Sequence, residues 1–136
     1  MINYPRFILL DDDLFALTMA EKIIRNHSQC AEIISFSACK EAIKYMAAED
    51  FVGKKTDTVF LTDLHMPEID AFTLLDRMES TFLAMRDWLH VFVLSAAACP
   101  SEISRVYSYS CVTGFLRKPL SNSKIQKIID CVQYPL

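Results

Sequence analysis

Asp11, Asp12 and Asp13 follow directly on the apolar run Phe7-Ile8-Leu9-Leu10, Asp63 follows Val59-Phe60-Leu61-Thr62, and Lys118 follows Phe115-Leu116-Arg117. Carboxylates brought together raise each other's pKa, and a bound hard cation relieves the repulsion. An all-oxygen donor set with open water positions suits Mg²⁺ (or Mn²⁺) rather than zinc. An ionised Asp63 beside such a cation is a competent nucleophile toward phosphorus. Lys118 is a compact point charge, suited to pair with Asp63 and then with a phosphoryl oxygen. Ser95 closes the run His90-Val91-Phe92-Val93-Leu94, and its hydroxyl can bond the same oxygen. The small residues Ala96-Ala97-Ala98 leave room for that group to enter. Singly, each residue has a plain structural reading: a capped acidic turn, the start of a loop, a turn serine, a surface lysine. Their order at the ends of four apolar runs is what the plain readings do not explain.

To act together, those run ends must meet. Strands are expected over 6–10, 31–36, 57–62, 90–95 and 112–117. Helical patterns lie between them. The first covers 14–26, with Leu14, Leu17, Glu21 and Ile24 on adjoining turns and Asp13 as its cap. The second covers 38–50 behind Ser37, with Cys39, Ala42, Ile43 and Met46 on its apolar face. The third covers 70–85, carrying Phe72, Leu75, Met78 and Phe82, with Pro67 fixing the loop before it and Asp70 as its cap. A fourth starts at Pro100, a residue suited to a first helical turn, and carries Ile103, Val106 and Tyr107. A fifth lies behind Ser121, with Ile125, Ile128, Ile129 and Val132 at helical spacing. Gly53 and the lysines beside it mark a turn in the stretch 49–57. Strict alternation of strand and helix implies a parallel sheet covered on both faces, an α/β fold. Ligands of open sheets of this kind bind beyond the carboxyl ends of the strands, where the acids and the lysine stand.

The composition agrees. At 136 residues and 52% hydrophobic, the chain suits one domain over 1–136 with a real core. A net charge of −3 and no basic cluster longer than Lys54-Lys55 argue against nucleic acid as a partner. No apolar stretch reaches the roughly 18 residues of a membrane span. The start, Met1-Ile2-Asn3-Tyr4-Pro5-Arg6, lacks the pattern of a signal peptide, so a cytoplasmic protein is expected. Cys30, Cys39, Cys99, Cys111 and Cys131 are odd in number, dispersed and without a C-x-x-C pair, which suits reduced, partly buried thiols.

The ordered set resembles the receiver domain of two-component response regulators, over essentially the whole chain. Ile8-Leu9-Leu10-Asp11-Asp12-Asp13 is similar to that family's first-strand acidic pair, and Leu61-Thr62-Asp63-Leu64-His65-Met66-Pro67-Glu68-Ile69-Asp70 to the stretch around its phospho-acceptor. Ser95-Ala96 matches its hydroxyl position, and Phe115-Leu116-Arg117-Lys118-Pro119 its aromatic switch and Lys-Pro. The resemblance implies a flavodoxin-like sheet of order 2-1-3-4-5 with five helices. It implies that Asp63 accepts a phosphoryl group from a histidine kinase or phosphotransfer protein, with Lys118 and Ser95 assisting. Asp12, Asp63 and the backbone carbonyl of His65 would ligate Mg²⁺, and Asp11 would act mainly through a coordinated water. Ser95 and Phe115 would then move, reshaping the face of the fourth helix, fifth strand and fifth helix for a downstream protein or for a homodimer. Such a protein is a switch and not a turnover enzyme. Taken as a whole protein, the chain would pass its signal by contact, in part through 99–109, where Tyr107 and Tyr109 suit half-buried packing. Ala71 stands where the family most often has Gly, Phe115 where it has Tyr, and His65 at a position whose side chain tunes phosphoryl lifetime. The Lys118-Pro119 bond is a candidate for the cis form.

Two other readings stay open. Asp11-Asp12-Asp13 contains an Asp-x-Asp after a buried strand, as aspartate-nucleophile phosphatases have, although Phe15 stands where those enzymes favour a hydroxyl residue. A phosphorylation-independent interaction module of the same fold is the other.

Overall fold

Five residues in a row, Arg6–Leu10, are buried, as only a strand covered on both faces allows. This strand, β1, pairs with β2 (Ile33–Phe36) on one side and β3 (Thr58–Asp63) on the other. β3 pairs with β4 (Leu89–Ser95), and β4 with β5 (Val112–Arg117). Every pairing is parallel, and the order is β2-β1-β3-β4-β5. The computed structural model describes residues 4–27, 31–48, 51, 53, 56–66 and 71–133. The expectations for Cys30, Lys54-Lys55, Pro67 and Asp70 lie outside the described residues, as does part of the stretch 49–57.

The helices are α1 (Leu14–His27), α2 (Cys39–Met46), α3 (Ala71–Thr81), α4 (Pro100–Tyr107) and α5 (Asn122–Gln133). Alternation along each strand divides the core in two. Ile8, Leu10, Phe60, Val91 and Val93 pack with buried residues of α2, α3 and α4. Phe7, Leu9, Val59, Leu61, Phe92 and Leu94 pack with α1 and α5, where Leu17, Ile24, Ile125, Ile128, Ile129 and Val132 are buried. The period-2 strand pattern and the 3.6-residue helix pattern thus meet on the same layers.

One strand breaks the pattern. Val91 pairs with Val112, but Phe92 pairs with Gly114, leaving Thr113 as an extra residue in β5. Because of that bulge, Val112 and Phe115 both pack against the cluster of Val91 and Val93. A Cβ at position 114 would lie 3.2 Å from the Phe92 ring, so glycine lets that ring pack against β5.

Boundaries differ from the sequence reading in several places: β3 runs Thr58–Asp63 and not 57–62, β4 starts at Leu89 and not at 90, α1 ends at His27 and not at 26, and Gly53, expected in a turn, is helical. β2 starts at Ile33 and not at 31. Ser37 does not cap α2; Ala38 takes the N-cap position, with no side-chain bond. The helix ends at Met46, where the N–H of Ala47 bonds Ile43. α3 ends at Thr81 and tightens into a 3₁₀ turn, Phe82–Ala84. By contrast Asp13 caps α1, its Oδ1 accepting the N–H groups of Phe15 at 2.9 Å and Ala16 at 3.3 Å. Ser121 caps α5 through the N–H of Lys124 at 3.3 Å. Lys118-Pro119 is cis. Among the described residues no helix is long and apolar enough to cross a membrane.

Candidate functional site

Four strand ends carry the polar groups. Asp11 follows β1, with its N–H on the carbonyl of Phe36 at 3.1 Å, so β2 holds it in place. Its Oδ1 accepts the N–H of Asp13 at 2.9 Å, which turns the chain toward α1. Asp63 is the last residue of β3, and the next N–H, of Leu64, bonds Leu94 of β4 at 2.9 Å. Ser95 ends β4 and is buried. Its carbonyl accepts the N–H of Lys118 at 3.0 Å, which brings the lysine beside the acids.

The side chains converge. Asp11, Asp12 and Asp63 each offer a carboxylate oxygen, and these atoms lie within 4.8 Å of one another. Lys118 Nζ donates to Asp11 Oδ2 at 2.6 Å and stands 3.4 Å from Asp63 Oδ1. The sequence reading paired Lys118 with Asp63; the closer partner is Asp11. Burial pushes the Asp63 carboxyl above the ordinary aspartate range, Lys118 pulls it back, and the charges of Asp11 and Asp12 push it up again. Burial works against the charge of Lys118, but its hydrogen bond to Asp11 and the fields of Asp63 and Asp11 outweigh this and raise its pKa. Among the described residues a single lysine faces three carboxylates, so these groups carry excess negative charge in an oxygen-only donor set, and that fits a hard divalent cation. Asp12 is exposed while Asp11 and Asp63 are buried, at 7% and 8% exposure, so one side of the cluster stays open to water and to a second reactant.

The remaining expected residues lie around this corner. Ser95 Oγ accepts the N–H of Ala97 at 3.2 Å, leaving its own hydrogen to donate. Phe115 is half-buried against the α2–α3–α4 side of the core. His65 is exposed and its ring meets Glu102 of α4, with Nε2 to Oε2 at 2.7 Å. The Glu102 carboxyl sits at about 2, held down first by the N–H of Cys99 and next by His65. Tyr107 is exposed, against the half-buried packing expected for it, and its hydroxyl accepts the N–H of Phe115 at 3.2 Å. Sequence reasoning missed Glu102 and Tyr107 as neighbours of the site. Glu102 stands three residues past Cys99, a spacing that marks a helix start, but nothing local points to His65, 37 residues away.

Beside the corner a cavity of about 470 Å³ runs between α1 and the segment Pro119-Leu120, with Leu9, Leu61 and Leu94 among its lining residues and Asp11 and Lys118 in its wall. Phe15 and Met19 also line it and are exposed, and Leu14 is exposed too.

Comparison with known proteins agrees with this geometry. The family model described as response regulator receiver domain matches residues 7–130. No curated protein matches the chain. Among solved structures, a two component response regulator from Cytophaga hutchinsonii superposes with a TM-score of 0.85 at 23% identity, covering 96% of this chain and 98% of that one. A response regulator receiver protein from Dyadobacter fermentans gives 0.82 at 23% identity, over 94% and 97% of the two chains. The chemotaxis protein CheY4 of Vibrio cholerae gives 0.75 at 16% identity, over 96% and 99%. At these identities the structures speak to the fold alone.

Proposed function

The chain belongs to the response regulator receiver domain family, and from that premise we propose that it works as a cytoplasmic phosphorylatable switch, a single receiver domain over 1–136 with Asp63 as acceptor. The observation that carries this reading is the meeting of Asp11, Asp12 and Asp63 within 4.8 Å, with Lys118 Nζ 2.6 Å from Asp11 and 3.4 Å from Asp63. The phosphoryl donor is a phosphohistidine of a histidine kinase or phosphotransfer protein.

In the transfer, a carboxylate oxygen of Asp63 forms a bond to phosphorus as the donor's N–P bond breaks and its electron pair returns to the imidazole. Asp12, Asp63 and the backbone carbonyl of His65 would hold Mg²⁺ (or Mn²⁺), with Asp11 acting mainly through a coordinated water, and the ion would supply positive charge to the transferring oxygens. Lys118 can turn from Asp11 to a phosphoryl oxygen without leaving the crevice, because both acids already lie within its reach. Ser95 donates its hydroxyl hydrogen to another of those oxygens, and the exposed Ala96 and Ala97 put no bulky side chain in its way. Half-buried Phe115 follows Ser95 inward, and the face of α4, β5 and α5 changes for a downstream protein or a second copy. Ligand binding of this kind shifts an equilibrium by the difference in its affinity for the two states. A protein donor must cover the crevice mouth, and the exposed Leu14, Phe15 and Met19 beside Asp11 give that rim an apolar character.

Acetyl phosphate with Mg²⁺ is expected to add one phosphoryl group, mapped by mass spectrometry to Asp63. The label is expected to vanish in Asp63→Asn and on chelation of Mg²⁺. Undiminished labelling of Asp63→Asn would remove Asp63 from its role. Many turnovers of a generic phosphate ester, with the label on Asp11, would point instead to a phosphatase.

A further inference from the structure

The loop that follows Asp63 is joined to α4 by the contact of His65 with Glu102. The carboxylate is held at both oxygens, since Oε1 accepts the N–H of Cys99 at 3.1 Å while Oε2 meets the ring at 2.7 Å. The first bond belongs to the helix's own opening turn, so the carboxylate is already oriented when it meets the imidazole. α4 itself is shallowly rooted. Of its eight residues only Val106 is buried.

The far end of this helix is fastened differently. Just beyond it the Tyr109 hydroxyl donates to Asp76 at 2.6 Å, and its ring stacks on Phe72. Glu79 of α3 accepts the N–H groups of Ser110 and Cys111, both at 2.9 Å, and the Ser110 hydroxyl at 2.8 Å. In the middle, the Arg105 guanidinium lies 4.0 Å from the centre of the Phe72 ring. The helix therefore has a firm foot on α3 and a head whose side-chain tie reaches a residue two positions past Asp63.

We propose that Glu102 is a positioning residue for the Asp63 site, acting through His65, so that the seat of α4 and the shape of the acceptor loop depend on one another. This inference rests on the reading of Asp63 and its cation given above. Anchoring the ring of His65 narrows the torsions open to residues 64–66, and with them the direction of the His65 carbonyl. Coupling of two sites is reciprocal, so what the site gains from a seated α4, α4 gains from an occupied site. An exposed, charge-assisted contact of this kind supports an effect of about two- to five-fold.

The test uses the full chain with Mg²⁺ alone as probe. Its dissociation constant is measured by calorimetry, and amide hydrogen exchange across α4 is measured separately without Mg²⁺. His65→Ala leaves the Glu102–Cys99 bond intact, so it isolates the contact from the helix cap. It is expected to weaken Mg²⁺ and to speed exchange in α4, each about two- to five-fold. Glu102→Gln in the otherwise wild-type chain is expected to keep both near the wild-type values, because its amide can accept from Cys99 and donate to the imidazole. Glu102→Ala added to His65→Ala is expected to leave the Mg²⁺ affinity of His65→Ala unchanged. Wild-type Mg²⁺ affinity and wild-type exchange in His65→Ala, or a further loss of Mg²⁺ affinity in the double variant, would overturn the proposal. Labelling with acetyl phosphate separates the two ideas. No label on wild-type Asp63, with the exchange effect present, would remove the acceptor reading and keep the contact. A label on Asp63 with no effect of His65→Ala would do the reverse.

Discussion

Asp63 illustrates how one side chain can be useful because it is uncomfortable. Burial and two neighbouring carboxylates push its pKa up, against the pull of Lys118. A folded-state pKa raised above 3.8 means that the folded chain holds this proton more tightly than the unfolded one. As pH rises through that window the folded state loses stability. Asp63→Asn is therefore expected to be more stable than the wild type at pH 7 without Mg²⁺, on the order of 1 kcal/mol or a few degrees in Tm. The difference is expected to shrink as pH is lowered toward the ordinary aspartate range, and thermal melts at several pH values check it. The acids, Ser95 and Lys118 were legible as a set because each ends an apolar run. The Asp11–Lys118 pairing was not, since it spans 107 positions and depends on strand register.

Elements show where local signals suffice. Asp13 and Ser121 could be recognised as caps because capping is a short-range bond. Ser37 has the same chemistry, yet the chain enters α2 one residue later, through Ala38. The seat of α4 is set by partners no local pattern reveals. Glu79 is the clearest, joining α3 to the turn before β5 through three hydrogen bonds. Burial tends to raise its pKa, and the bonds from Ser110 and Cys111 overcome this and lower it. Glu79→Ala is expected to cost about 1–2 kcal/mol, read as a lower urea midpoint, with most of the loss in protection of 108–112. Since the carboxylate form makes those bonds, the cost is expected to fade as pH drops below the ordinary glutamate range of 4.5. On α1, Phe15→Glu is expected to leave labelling by acetyl phosphate unchanged and to slow transfer from a protein donor about tenfold, the effect of roughly 1.4 kcal/mol of lost apolar contact. Equal rates from both donors would show that the rim takes no part.

At the scale of the molecule, the fold was almost wholly readable, because five alternations of strand and helix admit few parallel arrangements. The sheet also has two unlike ends. Polar groups crowd its carboxyl edge, while near the other edge His90 Nε2 and Trp88 Nε1 are buried with no hydrogen-bond partner. Burial lowers the His90 pKa, against a smaller opposing pull from Asp57. Below the ordinary histidine value of 6.5 the unfolded chain takes up a proton that the folded chain resists, so stability falls with falling pH. A lower urea midpoint at pH 5.5 than at pH 7.5 is expected, and His90→Phe is expected to flatten that slope by on the order of 1 kcal/mol.

The extra residue in β5 has its own consequence. Thr113 is slack in the strand, taken up before Gly114, so that everything from Gly114 to Lys118 keeps step with β4. A chain shortened by Thr113 would still aim its lysine at Asp11. Shortening by Leu116, three positions later, would turn that lysine toward the opposite layer, because each single-residue slip exchanges the two sides of a strand. Tolerance to loss of a residue here depends less on how deep it lies than on whether the ladder has already set it aside.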